Sequence, residues 1–197
     1  MNTVEHPLAE LEKAETTRLG FWVYLLSDVM LFSALFATFM ILRHNTAGGP
    51  EAIDIVDPPY VLLQTMALLI SSFTVAVAVL AAKHKRRQQA VRYLAATAAF
   101  GLIFLGMELY EFWSILSEGY SWQTSAFLSG FFALVGMHGL HITIGLIWLG
   151  IYLWVLNYRS LDVAMVHRLG IFALFWHFLD LVWIWIFTIV YMFGAAV

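Results

Sequence analysis

Five long apolar runs constrain this 197-residue chain more than any other feature. They span roughly Gly20–Leu42, Tyr60–Ala82, Tyr93–Trp113, Ala126–Leu156 and Gly170–Gly194. A helix rises ~1.5 Å per residue, so each run can cross the ~30 Å hydrocarbon core of a bilayer. Inside hydrocarbon every backbone polar group must be satisfied by the protein, which leaves helices or a closed barrel. The alternating segments of about ten residues that build a barrel do not occur. The expected fold class is therefore all-α: a polytopic bundle of five transmembrane helices over residues 20–197, preceded by a tail over 1–19. The fourth run is too long to stand upright, so it tilts or projects from the bilayer.

Composition agrees. Hydrophobic residues make up 62% of the chain and charged residues 12%, against about a quarter charged in soluble domains. No cysteine occurs, which excludes disulfides, cysteine-ligated iron–sulfur clusters and haem attached through C-x-x-C-H. No basic surface points to nucleic acid. The first run does not read as a signal peptide: an acidic stretch precedes it, it is long, and no small-residue cleavage site follows.

The linkers carry the orientation. The Pro58-Pro59 pair suits the first turn of the second helix. Lys13, Arg18, Lys83, Lys85, Arg86, Arg87, Arg92, Arg159 and Arg168 all fall on one side, and only Arg43 on the other. By the positive-inside rule the N-terminus is expected in the cytoplasm and the C-terminus outside, in the periplasm of a bacterium.

Seven ionisable residues lie within the runs: Asp28, Glu108, Glu111, His138, His141, His177 and Asp180. A carboxylate at the bilayer centre costs about 2.5–3.5 kcal/mol, so these groups should face protein, headgroups or water. Asp28 falls about 12 Å from the inner face, and His177 and Asp180 about 10 and 15 Å in. His138 and His141 fall near mid-membrane, so these five could share one layer. Glu108 and Glu111 lie towards the outer face, where a helix end reaching water is the plain reading. His138/His141, His177/Asp180 and Glu108/Glu111 are each three apart, hence on one helix face. Gly130, Gly136, Gly139 and Gly145, with Ser129 and Ala133, make the fourth helix slim enough for close packing.

Three readings of these residues stand. One is a hydrogen-bonded network that fixes helix packing, with His177 bonded to Asp180 or Asp28. A second is a metal site of three histidines and a carboxylate, or a haem held between His138 or His141 and His177. A third is a proton or ion path. The run "DLVWIWIF" reads as packing and lipid-facing surface.

The segments "YLLSDVMLFSALFATF", "GMELYEFW", "FFALVGMHGLHITIGLIW" and "LFWHFLDLVWIWIFTIVY" resemble, in order, the signature segments of subunit III of haem-copper terminal oxidases. "NTAGGP" and the five-helix length are most similar to the branch of cytochrome bo-type ubiquinol oxidases. The resemblance implies a non-catalytic accessory subunit of a proton-pumping bacterial quinol oxidase that reduces O2 to water. It implies no catalytic, cofactor-binding or metal residue in this chain, with haem b, haem o (or a) and copper in the large partner subunit. Direct packing against that subunit I, subunits II and IV in the same complex, bound phospholipid and a place in the bacterial inner membrane are also implied. The family's acidic residue in the corresponding helix, usually Glu, maps to Asp28, one methylene shorter. Its glutamate pair maps to Glu108 and Glu111, and its last two helices supply His138, His141, His177 and Asp180 as a polar network or lipid contact. Longer members have two further helices at the start, so here the lipid cleft would take walls from another subunit. Alternatives are subunit III of an aa-type oxidase fed by cytochrome c, a self-contained haem or metal carrier, and a small proton-coupled transporter. The odd helix count and lack of a repeat speak against the last.

Overall fold

A computed structural model of the chain describes residues 5–49, 57–158 and 161–193, with side chains from residue 15 onward. Five α-helices follow one another: α1 (Glu5–Leu42), α2 (Pro58–Lys83), α3 (Arg87–Ser117), α4 (Ala126–Tyr158) and α5 (Val163–Ile186). The last runs on into a π-helical segment, Phe187–Met192. All five are long and apolar enough to cross a membrane, and the described residues contain no strand.

Three helices begin earlier than the apolar runs suggest. Helix α1 is already helical at Glu5, the first described residue, and no proline or glycine between Pro7 and Gly20 interrupts it; residues 5–19 of the expected tail run on into the first span. Helix α3 takes in Arg87 and Arg92, whose charges do not oppose helix formation. Helix α5 starts at Val163, where the Asp162 carboxylate accepts a hydrogen bond from the Met165 N–H at 2.7 Å. That is an ordinary N-cap, and the helix it starts runs through His167 and Arg168 without a break. The end of the last run at Gly194, Arg159 of the fourth linker and residues 50–56 of the first lie outside the described residues.

Helices α2 and α3 form the most extensive pair, joined by a tight turn in which Lys85 takes the left-handed conformation (φ 57°). Helix α5 touches α1, α2 and α4, and α1 lies mainly along α4 and α5. At the basic end, Arg87 of the "KHKRR" stretch closes the C-terminus of α4. Its Nε donates to the Leu156 carbonyl at 2.9 Å, and its Nη2 donates to the carbonyls of Leu156 and Asn157. A guanidinium there satisfies terminal carbonyls and opposes the negative end of the helix dipole.

The core has two parts. Towards the basic end lie Val75, Leu94, Leu149, Leu156, Leu169, Phe172 and Trp176. Towards the other end lie Phe32, Phe39, Phe104, Phe131, Leu134, Trp183 and Tyr191. The slim α4 expected from its glycines lets large side chains reach its backbone. A Cβ on Gly145 would stand 2.8 Å from the Trp176 ring, whereas one on Gly136 would sit 3.7 Å from Phe112, an ordinary contact. The "DLVWIWIF" run divides as expected into packing and surface: Trp183 is fully buried and Trp185 is exposed.

This geometry separates two similar substitutions. Gly145→Ala should destabilise the bundle by about 1–3 kcal/mol through overpacking. Gly136→Ala should leave stability unchanged or raise it slightly. Unfolding of the purified chain in mixed micelles by added dodecyl sulfate measures both.

Candidate functional site

Asp28, His138, His141, His177 and Asp180, expected to share one layer, do not gather into one cluster. The seven ionisable residues separate into three polar groupings, because each helix aims its polar face at a different neighbour.

The first joins α1 to α4. Asp28, 6% exposed, lies with Oδ1 3.8 Å from His141 Nε2. His141 Nδ1 is 2.8 Å from the Met137 carbonyl. A carbonyl only accepts, so Nδ1 carries a hydrogen and donates it. Nε2 can then face the carboxyl favourably only if one proton lies between them, on Asp28 or on the ring. The Tyr24 hydroxyl, one turn below Asp28, also reaches this carboxyl. Phe32 covers the pair, its ring centroid 5.3 Å from that of His141.

The second joins α2 to α5. His177 Nδ1 and Ser72 Oγ are 2.7 Å apart, and Ser72 also serves Asp180. His177 was expected to bond to Asp180 or Asp28; its partner is instead Ser72 of α2. His177 is not enclosed. It lines an open groove of about 610 Å³ whose rim includes Arg18, Lys83 and His167.

The third lies towards the opposite end. Glu108 and Glu111 were expected at a helix end reaching water. Helix α3 instead continues to Ser117, and both are buried, at 1% and 8% exposure. The Glu108 carboxyl lies against Gly139, where a Cβ would stand 2.8 Å from Oε1. Glu111 Oε2 accepts from Gln64 Nε2 at 3.3 Å and from the Tyr191 hydroxyl at 3.2 Å. Beside them His138 is fully buried in an aromatic box: Phe104 at 5.7 Å edge-on, Trp183 at 5.3 Å and Phe32 at 6.5 Å. Neither His138 nitrogen and neither Glu108 oxygen has a hydrogen-bond partner among the described residues.

The division decides against a shared ligand set. Among the described residues no three His, Asp or Glu side chains gather as metal ligands do.

Several members of the seams were not anticipated from the sequence: Ser72, Gln64 and Tyr191, and the pairs Trp176 Nε1 to Ser71 Oγ and Trp183 Nε1 to Thr65 Oγ1, each at 3.0 Å. A signal for them exists in α2. Gln64-Thr65 and Ser71-Ser72 recur one heptad apart in an apolar helix, which puts small polar groups on one face.

The sequence model of the family described as "Cytochrome c oxidase subunit III" matches residues 9–195. The chain belongs to this family. Within it, "Cytochrome bo(3) ubiquinol oxidase subunit 3" of Pseudomonas aeruginosa is 47% identical over 179 residues, covering 91% of this chain and 86% of that one. "Quinol oxidase subunit 3" of Bacillus subtilis is 43% identical, covering 93% and 92% of the two chains. "Probable quinol oxidase subunit 3" of Staphylococcus epidermidis is 38% identical, covering 99% and 96%.

Ser72→Ala tests the second grouping. It removes the partner of His177 Nδ1, which should cost about 0.5–1.5 kcal/mol because water can reach the ring. Ser72→Thr, which keeps the hydroxyl, should recover most of that in the same unfolding titration.

Proposed function

We infer that this chain is the third subunit of a membrane quinol oxidase, an accessory subunit within an enzyme that passes electrons from quinol to O2. The 47% identity to a bo(3) ubiquinol oxidase subunit 3 across nearly the whole chain carries this reading. Redox chemistry then belongs to the partner. The large subunit would hold haem b, haem o (or a) and copper, and the side chains described here do not fit such a ligand set. The chain's own contribution is a rigid bundle placed against subunit I, with subunits II and IV in the same assembly.

Finer features follow from the same reading. The distribution of Lys and Arg supports a cytoplasmic N-terminus and a periplasmic C-terminus in the bacterial inner membrane. Helices α1 and α3 bury the smallest shares of their apolar windows, which leaves faces for a partner subunit or phospholipid. The groove with Arg18, Lys83 and His167 on its rim suits an anionic headgroup, its apolar wall the acyl chains. The Asp28–His141 pair holds α1 to α4 and supports sustained proton uptake by the large subunit.

A reduced-minus-oxidised spectrum of the complex that co-purifies with the tagged chain tests the assignment. Haem bands should remain with the larger partner and vanish from the isolated chain, and quinol rather than reduced cytochrome c should sustain O2 uptake. Bands that stay with the isolated chain would overturn it. His177→Leu should weaken assembly of the complex without changing its haem spectrum. Asp28→Asn should leave initial turnover nearly intact and shorten the time over which activity lasts, which repeated O2-consumption traces on one sample would reveal.

A further inference from the structure

We propose that Glu108 and Glu111 form a buried proton-exchange site that opens to the membrane face opposite the basic loops. The inference stands on this chain's own geometry and goes beyond the accessory role.

Four elements build the site. Helix α3 supplies both carboxyls, α2 supplies Gln64, the π-helical segment supplies Tyr191, and α4 supplies Gly139 and His138. The two carboxyls have opposite surroundings. Glu111 receives two donors, so it can carry negative charge. Glu108 is 1% exposed and receives none, so it keeps its own proton. Two neighbouring carboxyls with surroundings that differ in this way are the usual arrangement for a proton donor and acceptor. A carboxyl retained only for packing would be held by donors. Here α4 instead gives up a side chain at Gly139 to admit it. The register of the π-helical segment brings Tyr191 to Glu111, and such turns recur at functional sites.

A route to water exists on one side. Glu111 lines a pocket of about 190 Å³ together with Asp57, Tyr60, Tyr110, Ser114 and Glu118. Its acidic wall raises the local concentration of cations, hydronium included. In the exchange, a proton taken from pocket water by the Glu111 carboxylate passes to Glu108 through the Tyr191 hydroxyl or through water, while the proton Glu108 held returns by the same route to Glu111 and the pocket, so Glu108 ends neutral and Glu111 charged, as they began. The titratable and polar groups printed against the carboxyls are Gln64 and Tyr60 from α2 and Tyr191 of the π-helical segment, and none is a fixed cation.

Infrared spectroscopy of the purified complex tests this without reference to turnover. The carbonyl stretch of a protonated carboxyl should lose one component in Glu108→Gln. In the wild type that component should shift on transfer to D2O, and Glu111→Gln should slow the shift by about a hundredfold, the lower range for a positioned relay. If Glu108→Gln does not assemble, Glu108→Asp should move the component rather than remove it. A spectrum with no component tied to Glu108, a component insensitive to D2O, or an exchange rate indifferent to Glu111 would each overturn the proposal.

Discussion

Trp176 is the side chain on which four helices meet. It is fully buried in α5, and its ring occupies the space that a Cβ at Gly101 of α3 or Gly145 of α4 would need, at 3.0 and 2.8 Å. Its Nε1–H goes to Ser71 of α2. Lipid tails are as apolar as leucine, so helices in a membrane gain little from hiding apolar surface from one another. Shape and buried hydrogen bonds decide the packing instead. One wide indole set between two glycines and tied to a serine supplies both. Two turns further along α5 the device repeats with Trp183, bonded to Thr65 and edge-on to Phe104 at 4.6 Å.

The same two indoles shut the polar groups into compartments. With α2 drawn against α5 along the Trp176 and Trp183 bonds, Ser72 falls opposite His177 and Asp180 on that side of α5. With α1 on the far side, Asp28 can reach only the α4 histidine that faces it. Asp28, Glu111 and His177 are thus each met by a side chain of a neighbouring helix, and these contacts brace the bundle at three places.

The sequence made the helices legible because apolar length is a local property. Five runs, their order and the slimness of α4 all follow from residue types near one another in the chain. The starts of α3 and α5 were less visible: α3 opens on the charged Arg87, and α5 has His167 and Arg168 ahead of its long apolar run. The Asp162 cap could have corrected the second. The partition of the seven residues was not legible. Spacing of three put His138 and His141 on one face, but which helix lies against that face depends on how all five helices pack. Glu108 was misread for the same reason: near a helix end it resembles a group reaching water, and only the approach of Gly139 encloses it. Gln64 and Ser72 were overlooked because uncharged polar residues are common in membrane helices, and their meaning lies in what they meet.

The aromatic box around His138 sets a limit on what the acidic end of the bundle can do. Beyond Glu108 the next titratable group is His138, whose ring is enclosed by Phe32, Phe104 and Trp183. Among the described residues no hydrogen bond joins it to His141, whose nitrogens already face Met137 and Asp28. A proton that enters beside Glu111 therefore has no continuous hydrogen-bonded path to the basic face. The carboxyl pair exchanges with one side of the membrane only, so it can store a proton without leaking it across.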